Sequence, residues 1–111
     1  MSRLRKMSHT LWFCEYHIVW IPKYRYRVLR GKLKEEAECS IREQSRQMEI
    51  EVSELNVQED HVHLVALVPP KVSISNYMGR MKGKTAMRMF SVFRDLRERR
   101  IHGNHFWAQG Y

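Results

Sequence analysis

The sequence has little of what membrane-spanning, disulfide-rich and disordered proteins contain. Its most apolar early run, residues 11–21, is about half as long as a membrane-spanning helix requires, and Glu15 and His17 interrupt it. Two cysteines are too few for a disulfide framework and are expected to be free thiols. Five glycines and three prolines among 111 residues, with 43% hydrophobic residues, exclude a low-complexity chain. These absences predict one folded domain over residues 1–111, with no membrane segment and a cytoplasmic location.

Negative charge is scarce outside the middle of the chain. Residues 1–33 carry eight Lys or Arg and one acid, and residues 61–111 carry nine and two, whereas residues 34–60 carry three and nine. The formal net charge is +8. A fold that brings the two basic segments together makes one positive face, whose commonest partner is nucleic acid. The alternative is a basic surface that serves only solubility.

Hydrophobic periodicity predicts the element order β-α-β-β-α-β. The strand at residues 11–21 is rich in aromatic and β-branched residues, so it is predicted to be largely buried on both faces. Residues 1–9 are predicted to be a basic, partly mobile arm. Two helices on one face of a four-stranded antiparallel sheet make a ferredoxin-like α+β fold. The predicted strands are residues 11–21, 51–57, 61–68 and 105–108, and the predicted helices are residues 32–48 and 73–90.

The pair of histidines in His61-Val62-His63 is the strongest candidate for chemistry. Alternate side chains of a strand share a face, with Cα atoms about 6.6–7 Å apart. Neutral imidazole is a ligand for divalent metals. Two histidines do not complete a metal site, so a third ligand must come from elsewhere, and two surface histidines are the alternative interpretation. His17 is better explained as a core or sheet-face histidine than as a ligand.

Basic residues in patterns typical of nucleic-acid binding occur in two places. Residues 24–27 alternate tyrosine and arginine, which allows base stacking and phosphate binding. A strand edge or turn covered by amphipathic side chains explains that pattern equally well. A four-residue spacing places a second basic stripe on the predicted helix at 73–90. The predicted DNA-binding residues are Arg25, Arg27, Arg80, Lys82, Lys84 and Arg88.

Three segments together resemble the single-tyrosine HUH transposases of bacterial insertion sequences, to which the REP-associated tyrosine transposases are related. The segments are HTLWFCEYHIVWIPKYRYRVL (residues 9–29), DHVHLVALVPPKVSISNYMGRMKGKTAMRMF (residues 60–90) and FWAQGY (residues 106–111). The resemblance covers essentially the whole chain in order. A histidine-hydrophobe-histidine strand ending in Pro-Pro, followed by a K-G-K helix, is specific as a combination.

The resemblance implies a ferredoxin-like catalytic domain, an intertwined homodimer and recognition of single-stranded DNA with hairpins. It implies that His61 and His63 are catalytic metal ligands, which hold Mg²⁺ or Mn²⁺ at the scissile phosphate. In the family that ion acts as a Lewis acid. A tyrosine then attacks the phosphate, which gives a 5′-phosphotyrosine link and a free 3′-OH.

The sequence departs from the family pattern at its end. In the family the nucleophilic tyrosine lies on a further helix, which also brings the third metal ligand. Tyr111 matches an aromatic residue of the preceding strand, so no tyrosine is assigned as nucleophile. The expectation is therefore a C-terminally truncated, cleavage-deficient transposase. Two alternatives stay open, a DNA-hairpin-binding module without catalysis and a small ferredoxin-like RNA- or metal-binding protein.

Overall fold

The computed structural model describes residues 2–6, 12–92 and 106–111. A short 3₁₀ turn, Lys23–Arg25, follows the second strand. Within the described ranges, no helix is long and apolar enough to cross a membrane. In chain order the elements are β1 (Ser2–Lys6), β2 (Trp12–Trp20), α1 (Gly31–Gln47), β3 (Glu51–Gln58), β4 (His61–Val68) and α2 (Ile74–Val92).

An antiparallel sheet with the strand order β1-β2-β4-β3 is the framework of the fold. The nearly continuous apolar sequence of β4 suits a central strand, because both of its edges and most of both faces are covered. Val62 of β4 lies opposite Trp20 of β2 on one side and opposite Val57 of β3 on the other. A tight turn at residues 59–60 joins β3 to β4.

Both helices pack on one face of this sheet. Alternate residues of β4 point to opposite faces, so only every second residue of β4 faces the helices. The even-numbered residues of β4 join the main core, together with Ile41 of α1 and Met78, Met81 and Met89 of α2. These three methionines are fully buried. The odd-numbered residues of β4, which begin with His61 and His63, therefore lie on the opposite face.

Hydroxyl groups form part of the contact between α1 and α2. Ser40 and Thr85 lie 2.8 Å apart through their hydroxyl oxygens. The Tyr77 hydroxyl lies 2.5 Å from Ser45 Oγ, which itself donates to the carbonyl of Ile41 at 2.7 Å. Because these polar atoms are buried, their pairing removes a desolvation cost that would otherwise oppose helix packing.

Recognisable caps set two of the helix ends. The backbone amide of Asn76 donates to Ser73 Oγ at 3.1 Å, so Ser73 caps α2. At the end of α1, the amides of Glu49 and Ile50 donate to the carbonyls of Arg46 and Ser45. This is the Schellman arrangement, and Glu49 accordingly has a φ of 59°.

The two ends of the chain differ from the prediction. Residues 2–6, predicted to be part of a mobile arm, form β1 and pair with β2. Residues 106–111, predicted to begin the last strand, form one isolated bridge between Trp107 and Pro22. Proline has no amide to donate, so a regular ladder does not continue through that position. The prediction is confirmed for β2, α1, β3, β4 and α2; His105 and the rest of the arm lie outside the described residues.

The prediction that β2 is largely buried on both faces is wrong for its second half. Ile18 and Trp20 are buried in the core, whereas His17 and Val19 are exposed on the other face. Aromatic and β-branched content indicates a strand but does not say which face is covered. The exposed face of β2 is instead one wall of a cleft.

Candidate metal and nucleic-acid site

A cleft of about 500 Å³ lies on the face of the sheet opposite α1 and α2. The strand register places its walls, because Val19 of β2 and Asn56 of β3 both lie opposite His63. The lining residues are Val19, Ile21, Arg25, Asn56, His61 and His63. The structure therefore brings the two predicted metal ligands and one predicted DNA-binding arginine to the same cleft.

Asp60 orients the ring of His61. Its Oδ1 lies 2.9 Å from His61 Nδ1. Because an ionised carboxylate can only accept, Nδ1 carries the proton and Nε2 has the lone pair that a metal needs. The hydrogen bond from His61 is the largest cause that lowers the pKa of Asp60 below its usual range, and the charge of Arg25 acts in the same direction. Asp60 thus remains a carboxylate at neutral pH.

Arg25 extends this arrangement into a chain of three side chains. Its Nε donates to Asp60 Oδ2 at 3.1 Å. The contact ties the 3₁₀ turn to the turn between β3 and β4, and a backbone bond from Leu29 N to Glu59 O at 3.0 Å reinforces it. Arg25 has a φ of 53°, a conformation uncommon for residues other than glycine. Local sequence patterns contain no sign of this contact between residues 35 positions apart.

His17 lies on the same face as the predicted ligands. Its ring centroid is 6.1 Å from that of His63, with an interplanar angle of 37°. His17 Nε2 is 3.4 Å from Glu15 Oε1. His17 is therefore a sheet-face histidine, one of the two roles predicted for it.

The ligands available to a metal in the cleft are incomplete. Across residues 2–6, 12–92 and 106–111, no three His, Cys, Asp or Glu side chains form a group suited to one ion. Two imidazoles, one of them oriented by a carboxylate, fit part of the coordination shell of a divalent ion. Asn56, which the sequence analysis missed, also lines the cleft, and its amide oxygen accepts a hydrogen bond from Gln58 Nε2 at 2.6 Å. Hard cations commonly complete such shells with water and substrate phosphate oxygens.

The basic stripe on α2 lies apart from the cleft, on the helix side of the sheet. Arg80 donates to Gln47 of α1 at 2.7 Å, and Arg88 Nε lies 2.6 Å from Glu36 Oε2 of α1. Lys84 is exposed on the same helix. The structure does not bring this stripe to the histidines, and its role in DNA binding stays a prediction.

Lys82 also has partners within the protein. Its ammonium donates to the carbonyls of Ala108 and Gly110, each at 2.9 Å. Burial lowers the pKa of that ammonium. The indole of Trp107 in turn donates to the carbonyl of Lys82 at 3.0 Å. Lys82 thus holds residues 106–111 against α2 through hydrogen bonds, a structural role that was not predicted from the sequence.

None of the five tyrosines of the chain lines the cleft. Tyr77 is buried between the helices, and Tyr16 packs against the core on the helix side. Tyr111 is exposed and follows Gly110, whose carbonyl accepts a hydrogen bond from Lys82. Tyr24 and Tyr26 are also exposed, on either side of Arg25.

The sequence pattern of a family described as "Transposase IS200 like" matches residues 10–111. Transposases for the insertion sequence element IS200 from Salmonella typhimurium LT2 and from Salmonella typhi are each 33% identical to this chain over 111 residues, which is 100% of the chain and 72% of each relative. The ISDra2 transposase TnpA of Deinococcus radiodurans is 34% identical over 97 residues, which is 87% of this chain and 69% of that protein.

The fold is similar to that of a solved structure as well. A crystal structure of a candidate transposase from Deinococcus radiodurans R1 superposes with a TM-score of 0.83 at 30% sequence identity. The superposition covers 96% of this chain and 81% of that one.

Proposed function

Because the chain belongs to the family of IS200-like transposases, we propose that it binds single-stranded DNA with hairpins at the cleft of His61 and His63. Transposases are DNA-processing enzymes, so a site for the DNA backbone is required. The observation that supports this cleft most directly is the pair of hydrogen bonds that link Arg25 to Asp60 and Asp60 to His61. They hold a guanidinium and an oriented imidazole in the same cleft. Arg25, which lines the cleft, and Arg27 of the same exposed segment are the proposed DNA contacts, whereas DNA binding by Arg80, Lys82, Lys84 and Arg88 stays a prediction.

In this proposal His61 and His63 hold Mg²⁺ or Mn²⁺. Such an ion supplies Lewis-acid polarisation of a phosphate. Asp60 keeps His61 in the tautomer that binds a metal. A guanidinium has five N–H donors, so Arg25 can bind a phosphate oxygen while it holds Asp60.

The proposed reaction of the assembled transposase joins a tyrosine oxygen to the scissile phosphorus and releases a 3′-OH. The energy of the broken phosphodiester is retained in the phosphotyrosine bond, which permits rejoining. No tyrosine of this chain lines the cleft, so none of Tyr16, Tyr24, Tyr26, Tyr77 and Tyr111 is assigned as the nucleophile. The same observation favours a second candidate function, a hairpin-binding module without strand cleavage. A homodimer is part of both proposals.

Two measurements on the same DNA test the proposal. Fluorescence anisotropy compares a labelled hairpin with a linear duplex at two salt concentrations. A denaturing gel run after incubation with Mn²⁺ detects a covalent protein–DNA adduct. We expect preference for the hairpin and no adduct. Equal affinity for the duplex would contradict hairpin recognition, and an adduct abolished by His63→Ala would show that the chain does contain a nucleophile.

Metal binding is tested by calorimetric titration with Mn²⁺. We expect His61→Ala and His63→Ala each to weaken binding by about tenfold or more, since each removes a ligand. His17→Ala is the matched control, because His17 is an exposed histidine on the same sheet face. A loss in the control as large as that in His63→Ala would contradict the assignment of the ligands.

A further inference from the structure

Two exposed tyrosines, Tyr24 and Tyr26, are the sequence neighbours of Arg25, which lines the cleft. The exposed fraction is 63% for Tyr24 and 38% for Tyr26. Their ring centroids are 5.5 Å apart, with an interplanar angle of 56°. Lys23 Nζ lies 5.2 Å from the centroid of the Tyr24 ring, within range of a cation–π contact. The structure thus presents a paired aromatic surface among cations, adjoining in the sequence an arginine that lines the cleft.

The tyrosine pair is held in a defined place. Lys23 N donates to Phe106 O at 2.8 Å, and Arg25 N donates to Pro22 O at 2.8 Å. The Arg25 side chain is bonded to Asp60, which is bonded to His61. Tyr24 has a φ of 60° and Arg25 a φ of 53°, so the backbone turns sharply here. These contacts fix the backbone that carries the two rings relative to His61.

We propose that Tyr24 and Tyr26 form a stacking platform for an unpaired DNA base next to the phosphate at His61 and His63. This inference deepens the proposed function and rests on it. Each base has a π face, so aromatic stacking binds single strands with little sequence preference. The cations at positions 23, 25 and 27 complement the backbone phosphates on either side of that base. A base inside a duplex has both faces stacked already, so the platform selects unpaired nucleotides.

The test uses two DNA hairpins with the same stem, one blunt and one with single-stranded extensions. The fluorescent base 2-aminopurine, which is quenched when it stacks, is placed in the extensions. The variant that removes both rings is Tyr24→Ala with Tyr26→Ala, and the variant that keeps both rings is Tyr24→Phe with Tyr26→Phe. Tyr111→Ala is the control for loss of an exposed tyrosine elsewhere.

We expect the double alanine variant to lose about tenfold or more in affinity for the extended hairpin, since alanine removes base–aromatic stacking. Its affinity for the blunt hairpin, in which only the loop bases are unpaired, should fall less than its affinity for the extended hairpin, and the quenching of 2-aminopurine in the extensions should disappear. The double phenylalanine variant and Tyr111→Ala should both behave as the wild type. Stacking needs only the ring, so wild-type affinity and quenching in the phenylalanine variant also exclude a role for these hydroxyls in DNA binding.

The two hairpins separate failure of this inference from failure of the proposed function. Unchanged affinity of the double alanine variant for the extended hairpin would overturn the platform, while hairpin binding by the wild type would stand. A wild type that binds hairpin and duplex equally would overturn the proposed function. A covalent adduct lost in the phenylalanine variant would also overturn the platform, because it would make one of these tyrosines a nucleophile.

Discussion

Asp60 accepts hydrogen bonds from two cationic or polarised partners, His61 Nδ1 and Arg25 Nε. An asparagine has only one acceptor oxygen, and its NH₂ group would face the second donor. We therefore expect Asp60→Asn to weaken Mn²⁺ binding by about 10–100-fold through a less well oriented His61. Calorimetric titration measures the affinity, and thermal denaturation checks that the variant folds.

A neighbouring acid supplies the control for this prediction. Glu59 lies in the same turn, and its carboxylate is 3.9 Å from Arg30 in an exposed ion pair. Glu59→Gln makes the same chemical change one residue away, without contact to His61. We expect its Mn²⁺ affinity to equal that of the wild type. Equal losses in both variants would mean that the net charge of the turn, rather than the orientation of His61, determines metal binding.

Tyr77 couples stability to pH, because burial raises the pKa of its hydroxyl. The folded protein then keeps this proton at pH values where the unfolded chain has lost it. The stabilising contribution is therefore complete below the ordinary tyrosine pKa of about 10 and is lost as the pH rises above it. We expect the free energy of unfolding of the wild type to fall as the pH rises through about 10 and above.

The variant Tyr77→Phe tests both the pH effect and the hydrogen bond. It should cost about 1 kcal/mol at neutral pH, because Ser45 Oγ loses a donor but keeps its own bond to Ile41 O. It should also lose less stability than the wild type at alkaline pH. Urea denaturation of both proteins at neutral pH and at alkaline pH measures both effects. Tyr111→Phe, at an exposed position, should match the wild type, and an unchanged alkaline loss in Tyr77→Phe would contradict the role of this hydroxyl.

At the scale of the helices, the backbone of Glu49 at the end of α1 has a positive φ that is unfavourable for a residue with a Cβ. Glu49 occupies the left-handed position of the Schellman arrangement, which glycine occupies most readily. Glu49→Gly should raise the free energy of unfolding by about 0.5–1 kcal/mol, since the exposed ion pair with Lys71 contributes little. In a domain of this size, that gain raises Tm by a few degrees, measurable by thermal denaturation.

Glu49→Ala separates backbone conformation from charge. It removes the same ion pair but keeps a Cβ in the left-handed region, so we expect no gain in Tm. If alanine stabilised the protein as much as glycine, the benefit would come from removing the carboxylate.

The elements that the sequence predicted correctly are those with strong local patterns. The helices α1 and α2 have apolar faces with the helical period, and Ser73 gives a cap. In contrast, Ser2–Lys6 contains one apolar residue among polar and basic ones, so only its pairing with β2 makes it a strand. Residues 106–108 have the composition of a strand, yet their partner is Pro22 and they form only a bridge. Tertiary context decided both ends of the chain.

The same distinction applies to the candidate site. Strand alternation alone places His61 and His63 on one face. The proximity of His17 and of Asn56 to His63 depends on the register between strands, which a single sequence does not specify. The bond between Arg25 and Asp60 depends on where a turn folds back, so it was beyond any periodicity argument.

At the scale of the whole molecule, positive charge is divided between the two sides of the sheet. Arg25 lies in the cleft, and Arg27 follows it in the same exposed segment. The stripe of Arg80, Lys84 and Arg88 lies on α2, and its two arginines contact α1. The side of the sheet that binds phosphate can therefore be identified by substituting a cation on each side and measuring how the affinity for DNA depends on salt.

Arg27→Glu and Lys84→Glu make the same change in charge on the two sides, at exposed positions. If DNA binds across the cleft, Arg27→Glu lowers affinity and reduces the slope of log K against log salt by about one, because one phosphate contact is lost. Lys84→Glu should leave a slope closer to that of the wild type, because ions screen charges beyond about 8–10 Å. Anisotropy titrations of a hairpin between about 50 and 200 mM salt measure both slopes. Equal reductions would place the α2 stripe in the DNA interface as well, so the hairpin would have to contact both sides of the protein.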